Sequence, residues 1–330
     1  MQKEPQVDAS DAKARYLIEH YQPQFLGEGG NHIVFSSPKH SSVVVKVDKG
    51  LLKKTEDYLA QHHIDAPDAE LLQHAKTFMD QYRSRVDKLK IFFPPLSILG
   101  ERLFFTQVPV PTQKQKDGTR TLKEKMGWGI VRVQDRIPTD ADQIVSLDSP
   151  YPERRKVDQR DPERYWKTTK ALLKGEDCDL ADSSWIQPRL ERYIARAKND
   201  EVFRSALVDF IERAITYTEK TGQLLDLVGG ENLVFLQNAS QRSWRFLLVD
   251  VLPTRAQTVS EVIAALDRFK RGERVNPEIY SQLLNGLHWV RCINGLASGL
   301  HIPHRIHALE SLVRLSEEQR AALYTFLHPT

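Results

Sequence analysis

Short apolar runs bounded by polar and turn residues lie near the start of the chain. The runs HIVFSS (32–37) and SVVVKVD (42–48), separated by the turn residues of SPKHS, predict two β-strands joined as a hairpin. The preceding residues 14–29 predict a short helix that leads into a further strand. A glycine-rich turn follows this strand and contains Gly27, Gly29 and Gly30. Lys46 interrupts the second apolar run.

The apolar spacing then becomes helical. Residues 65–92 begin with DAPDAE, which supplies a capping carboxylate and an early proline, and they predict one long helix. Two more strands are predicted in RLFFTQVPV (102–110) and WGIVRVQDRI (128–137), on either side of a polar, charged loop. Residues 138–200, rich in charge and proline, predict a long connection with one or two helices.

Helical patterns dominate the rest of the chain. Residues 201–222 are amphipathic and end on Gly222, a suitable helix C-cap. Two short apolar strands follow, within LLDLVGGENLVFL (224–236) and SWRFLLVDVLP (243–253), and the remaining apolar segments have helical spacing. The predicted fold class is α+β, with a small antiparallel β-rich part and a larger, mostly helical part.

Length and charge limit the classes of partner. A chain of 330 residues exceeds the usual size of one core, so we expect two packed units. The 47 basic and 44 acidic residues are interspersed, which indicates no nucleic-acid-binding surface. No apolar run approaches the ~20 residues of a membrane span, and no secretory signal precedes residue 20. Cys178 and Cys292 are too few for a disulfide framework, so we expect a cytoplasmic protein, although an effector exported by another route would have the same composition.

The glycine-rich turn and Lys46 are candidate phosphate-binding groups. Glycine lets the backbone approach a ligand closely and leaves N–H groups to point at phosphate oxygens. A lysine inside a half-buried strand needs a partner or a route to water. The ordinary alternatives are a plain hairpin turn and an edge-strand lysine that extends to solvent.

The same residues resemble the nucleotide-binding segment of protein kinases. With Gly27 at the first position of G-x-G-x-x-G-x-V, Gly29 and Val34 match the second glycine and the valine, while His32 replaces the third glycine. Lys46 in VVVKV resembles the strand lysine of V-A-I-K, which pairs with nucleotide phosphates.

Two later segments resemble the catalytic half of the protein-kinase-like superfamily, including its aminoglycoside and choline kinase branches. Asn232 in ENLVF is similar to the asparagine of the catalytic loop, and Asp250 in LLVDV is similar to the aspartate of D-F-G. The resemblance implies that both residues bind Mg²⁺ and that Asp226 orients the acceptor hydroxyl.

The catalytic loop also departs from the pattern. Asp226 precedes Asn232 by six residues rather than five, Leu224–Leu225 replace His-Arg, and Val251–Leu252 replace Phe-Gly. No lysine lies in the loop. These departures make a pseudokinase an alternative.

The resemblance implies a bilobal fold, with an N-lobe over residues 1–136, a helical C-lobe over 137–330, and ATP and Mg²⁺ in the cleft between them. The N-lobe helix is expected to offer a carboxylate to Lys46. Glu70 is the first choice for this carboxylate, and the alternatives are Glu56, Asp80 and Asp87. The end of the predicted strand WGIVRVQDRI (128–137) resembles the hinge whose backbone holds adenine, with contacts at Val133, Gln134 and Asp135.

The implied activity is transfer of a phosphoryl group from ATP to a hydroxyl of a small molecule or a protein. Residues 138–200 resemble the insertions that build a substrate pocket in small-molecule kinases. Three alternatives stay open: a nucleotide-binding regulatory protein without transfer activity, a scaffold that binds a partner through residues 138–200, and adenylyl transfer.

Two further groups of residues are expected to have structural roles. The histidines of HIPHRIH have no cysteine or carboxylate to complete a metal site, so we expect them at the surface. They are His301, His304 and His307. Four irregularly spaced tryptophans are expected to pack in the core or between the lobes: Trp166, Trp185, Trp244 and Trp289.

Overall fold

A computed structural model of the chain describes residues 24–28, 32–37, 40–48, 69–111, 122–137, 143–146, 162–178, 187–225, 232–238, 240, 242–249, 258–274 and 277–327. The predicted α+β class is confirmed, since a five-stranded antiparallel sheet and seven α-helices lie within these residues. The chain divides into two compact units. One comprises Met1–Asp87 and Leu99–Thr139, and the other comprises Lys88–Ile98 and Asp140–Thr330.

The first unit is built on the antiparallel sheet. Its strands are β1 (Gln24–Glu28), β2 (His32–Ser37), β3 (His40–Asp48), β4 (Glu101–Pro111) and β5 (Leu122–Asp135). They pair in the order β1-β2-β3-β5-β4, so β5 lies between β3 and β4. Helix α1 (Ala69–Phe92) connects β3 to β4. The predicted order of strands and helix is confirmed, although β5 begins six residues before the predicted strand.

Side chains alternate between the two faces of this sheet, as the pleat requires. One face carries a buried apolar cluster of Ile33, Phe35, Val45, Val47, Phe104, Val131 and Val133. Helix α1 packs on the other face, where Ala75, Phe78 and Met79 contact Leu103, Phe105 and Ile130. The helical spacing of 75, 78 and 79 is the apolar period that predicted this helix.

The second unit is mostly helical. Its helices are α2 (Pro162–Lys174), α3 (Gln187–Asn199), α4 (Glu201–Thr221), α5 (Val259–Lys270), α6 (Pro277–Gly299) and α7 (Glu317–Leu327). Among its described residues, 3₁₀ turns occur at Pro95–Ser97 and Glu310–Arg314. A three-stranded antiparallel sheet joins β6 (Gln143–Ser146), β7 (Leu233–Asn238) and β8 (Ser243–Leu248) in that order. One or two helices were predicted within residues 138–200, and the structure has two there, α2 and α3.

Helix α6 is the centre of the second unit. Every residue from 283 to 298 is buried, which is typical of a helix that packs on all sides. Trp289 lies in this helix and donates its indole N–H to Thr218 at 2.8 Å. Trp166 and Trp244 are also buried, which confirms their predicted core role, and Trp185 lies outside the described residues. The three histidines of HIPHRIH are exposed, as predicted.

Buried polar contacts connect α6 to its neighbours. The amide of Asn294 donates to the carbonyls of Leu172 at 2.6 Å and Ile306 at 3.0 Å, and its oxygen accepts the N–H of Ile306 at 2.8 Å. Asn294 is fully buried. Nearby, Gly175 ends α2 with φ +72°, and a β-carbon there would meet His307 and Arg305. The polar groups of the Asn294 side chain are therefore satisfied by the protein itself.

Candidate functional site

A single row of residues crosses the sheet of the first unit and includes three of the predicted site residues. Gly27 of β1 pairs with Val34 of β2, and Val34 pairs with Lys46 of β3. Lys46 pairs with Arg132 of β5, and Arg132 pairs with Leu103 of β4. Directly paired residues of antiparallel strands point to the same face of a sheet. The row, called here the Lys46 row, therefore lies on the face that α1 packs against.

Exposure changes along the Lys46 row. Gly27, Val34 and Lys46 are half-buried, whereas Arg132 is 2% exposed. A β-carbon added at Gly27 would meet no atom within 4 Å. Among the described residues, the row therefore leaves room beside the backbone at Gly27, whereas it is covered at Arg132. Gly29 and Gly30, which complete the predicted phosphate-binding turn, lie outside the described residues.

Lys46 has no acidic partner within the parts of the chain that the structure describes. Glu70, its predicted partner, lies in the first turn of α1, and its side chain is outside those parts. Glu56 is outside them as well, and Asp80 and Asp87 are exposed on α1. The pairing of Lys46 with a helix carboxylate stays a prediction.

A buried polar cluster lies beside Lys46. The guanidinium of Arg132 is 4.0 Å from Oε2 of Glu101, the first residue of β4, and each of these side chains is 2% exposed. The hydroxyl of Tyr82 on α1 donates to the same carboxylate oxygen. The Arg132 guanidinium lies 5.8 Å from the centre of the Tyr82 ring, within cation–π range. Sequence reasoning missed this cluster, although GIVRVQD places Arg132 between two valines just as VVVKV places Lys46.

The predicted hinge residues lie within a central strand. Val133 packs in the apolar cluster, and β5 pairs with strands on both sides at Val133 and Gln134. The N–H of Asp135 donates to the carbonyl of Gly100 at 3.0 Å, and the next N–H, of Arg136, donates to a β3 carbonyl at 2.7 Å. A backbone group that already pairs within a sheet is not available to a base. Adenine contacts at Val133, Gln134 and Asp135 stay a prediction to which this geometry adds no support.

In the second unit, Asn232 lies at the open end of the β7–β8 hairpin. Its carbonyl accepts the N–H of Val249 at 2.9 Å, one step beyond the pairing of Leu233 with Leu248. Asp250 follows Val249 in the sequence but lies outside the described residues. Asn232 is therefore the only predicted magnesium ligand that the structure describes.

The segment that leads to Asp226 is anchored by local contacts. Gly222 has φ 65° and caps α4, as predicted. The hydroxyl of Tyr217 donates to the side-chain oxygen of Gln223 at 2.6 Å. Leu224 and Leu225, which stand where kinases have His-Arg, are buried. Apolar side chains at these positions pack inside the unit, and Asp226 itself lies outside the described residues.

The described residues include neither a cluster of metal-ligating side chains nor a membrane-spanning helix. They contain no group of three or more His, Cys, Asp or Glu side chains arranged to hold a metal ion. None of their helices combines the length and apolar character needed to cross a membrane.

Comparisons of the chain with protein-family models, with curated proteins and with solved structures found no match.

Proposed function

We propose that the chain is an ATP- and Mg²⁺-dependent phosphotransferase with a protein-kinase-like, two-lobed fold. It transfers a phosphoryl group to a hydroxyl of a small molecule or a protein. The Lys46 row carries this proposal, because Gly27, Val34 and Lys46 occupy adjacent strands in register and share one face. The motif positions named from the sequence are thus neighbours in space.

The first unit supplies the groups that bind phosphate in this proposal. The turn with Gly27, Gly29 and Gly30 offers backbone N–H groups, and the open space at Gly27 supports a close approach of the ligand. Lys46 contributes a positive charge to the phosphate oxygens. Its lack of an acidic partner among the described residues supports a ligand as its partner.

The second unit supplies the groups that fit a magnesium ion. Mg²⁺ takes oxygen ligands, and the amide of Asn232 and the carboxylate of Asp250 provide them. The position of Asn232 at the open end of the β7–β8 hairpin supports this assignment, because Asp250 comes two residues after the end of β8, the strand paired with β7. When bound, the ion would neutralise charge on the phosphate oxygens.

Asp226 would act on the acceptor. Its carboxylate accepts the proton of the attacking hydroxyl as the oxygen–phosphorus bond forms and the bond from the γ-phosphorus to ADP breaks. Asp226 directly follows the residues Gly222 to Leu225, which are held by local contacts.

Calorimetric titration with MgATP tests the proposal. The wild-type chain should bind MgATP, and Lys46→Met should weaken binding by about 10-fold or more, because a charged contact to phosphate is lost. Asp250→Ala should weaken the magnesium-dependent part of the binding. Lys76→Met, an exposed lysine of α1, is the matched control and should bind as the wild type does. Unchanged binding in both Lys46→Met and Asp250→Ala would sink the proposal.

A nucleotide-binding protein without transfer activity is the second candidate. The burial of Leu224 and Leu225 favours it, since these residues replace the polar His-Arg pair and pack in the core. Incubation with ATP labelled at the γ-phosphorus separates the two candidates. Labelled product, or faster loss of the γ-phosphate, that disappears in Asp226→Asn supports the enzyme. MgATP binding with no release or transfer of label supports the binding protein.

A further inference from the structure

Arg132 is a second cation directly beside Lys46. The two residues form a cross-strand pair between β3 and β5, and such pairs have β-carbons about 5 Å apart on the same face. Like charges in this position repel each other. Arg132 is nonetheless buried, whereas Lys46 is half-buried.

The surroundings of Arg132 explain how the pair is tolerated. Glu101 lies 4.0 Å from its guanidinium, and Tyr82 donates to the same Glu101 oxygen. The Tyr82 ring lies against the guanidinium at 5.8 Å. Contacts from β4 and from α1 therefore fix the guanidinium in one place, beneath the helix.

We propose that Arg132 is a positioning residue for Lys46. Its fixed charge repels the Lys46 ammonium and directs it toward the Val34 and Gly27 end of the row, where a β-carbon at Gly27 would meet no described atom within 4 Å. Glu101 and Tyr82 hold the guanidinium in place and do not touch the ligand. The inference rests on the proposed role of Lys46 in binding phosphate.

The pair of cations also defines the class of ligand. An anion bound by Lys46 is attracted by Arg132 as well, and the attraction grows with the charge of the anion. Glu101 offsets this attraction only in part, because it lies on β4, one strand further from Lys46 than Arg132. The first unit should therefore prefer a polyphosphate, such as the triphosphate of a nucleotide, to a singly charged phosphate ester. Because Arg132 is buried, this contribution acts through the field at Lys46 rather than by direct contact.

Binding of inorganic tripolyphosphate to the full chain tests the inference. Arg132→Met alone would leave Glu101 as a buried carboxylate without its cation, so the main variant is Arg132→Met/Glu101→Gln, which removes both charges and leaves an oxygen for Tyr82. This variant should bind tripolyphosphate about 10-fold more weakly than the wild type. The same pair of changes on a Lys46→Met background should alter binding less than about twofold, since Arg132 acts through Lys46.

Glu101→Gln alone should change the affinity for tripolyphosphate in the opposite direction. It removes the negative charge and leaves Arg132 in place, so tripolyphosphate should bind more tightly than in the wild type. A purely structural role for the cluster predicts weaker binding instead. Thermal unfolding of each variant shows that it is folded.

The outcomes separate this inference from the proposed function. The inference is wrong if the double variant binds as the wild type does, if its effect is the same with and without Lys46, or if Glu101→Gln weakens binding. In each of these cases, MgATP binding that depends on Lys46 leaves the proposed function standing. If Lys46→Met changes the affinity for neither tripolyphosphate nor MgATP, the inference and the proposed function are both wrong.

Discussion

Asn294 in the second unit and Lys46 in the first show two ways in which a polar side chain can occupy an apolar environment. Asn294 is fully buried and makes hydrogen bonds to Leu172 and Ile306 within the protein. Lys46 lies among valines, is half-buried, and has no acidic partner among the described residues. Buried polar groups are normally satisfied, so a group like Asn294 is structural, whereas a group like Lys46 is a candidate for binding a ligand.

Arg132 resembles Asn294 in being buried and held by contacts within the protein, although it is the cross-strand neighbour of Lys46. Removing one member of a buried ion pair leaves the other uncompensated and costs about 3–5 kcal/mol. Arg132→Met should therefore lower the free energy of unfolding of the first unit by about that amount. Lys46→Met should change it by less than about 1 kcal/mol. Urea denaturation followed by circular dichroism measures both, and equal losses would break the comparison.

Asn294 gives the next largest effect. Asn294→Ala leaves two carbonyls and one N–H without their partner in a fully buried site, and each such group costs about 1–3 kcal/mol. We expect a loss of about 3 kcal/mol in the free energy of unfolding, reduced by any water that enters. Asn199→Ala is the matched control, because the Asn199 amide donates to a carbonyl at an exposed helix end. A loss below about 1 kcal/mol at Asn294 would show that its hydrogen bonds are replaceable.

Gly175 tests whether the backbone beside Asn294 is as constrained as its side chain. Gly175 and Gly272 both have left-handed φ values, +72° and +71°, so alanine is strained by about 1–2 kcal/mol at either position. Only at Gly175 would the added β-carbon also collide with His307 and Arg305. Gly175→Ala should therefore lower the midpoint of thermal unfolding more than Gly272→Ala does. Equal shifts would mean that His307 moves aside freely.

Cys292 should have the smallest effect on the free energy of unfolding. The pH dependence of this effect shows whether α6 is shielded from water. Burial raises the pKa of this thiol from about 9 to about 12. The unfolded chain loses the proton first as pH rises, so the contribution of Cys292 to stability is complete below pH 9 and disappears toward pH 12. Between pH 8 and pH 10 the wild type should lose about 1 kcal/mol more than Cys292→Ala does. If urea denaturation shows the same pH dependence of the free energy of unfolding for the wild type and Cys292→Ala, the thiol is not excluded from water.

Local patterns in the sequence predicted most elements of the fold. The end of α1 at Phe92 and the cap at Gly222 were correct, because apolar period and glycine conformation act within a few residues. Strand β6 was missed, since the four residues QIVS are too few to show a period. The position of β5 between two other strands was also beyond local pattern, because strand order depends on contacts distant in sequence.

The candidate site shows the same division. Lys46 was found because a lysine inside an apolar run is unusual, and its register with Gly27 and Val34 agrees with the order of the motif. Glu101 gave no signal, since an acidic residue before an apolar run also marks an ordinary strand start. The ion pair between Glu101 and Arg132 depends on the pairing of β4 with β5. The register between strands determines which charged residues become neighbours in a sheet, and this register cannot be read from the local sequence pattern.

Lys46 also determines how β3 can be aligned in the sheet. Val45 and Val47, on either side of it, belong to the buried apolar cluster on the opposite face. A slip of one residue would exchange the two faces and place an ammonium group in that cluster. Every strand pair that contains β3 would then bury an unpaired charge, so misaligned forms of the sheet are penalised. A residue proposed for binding a ligand therefore also selects the correct fold from its closest competitors.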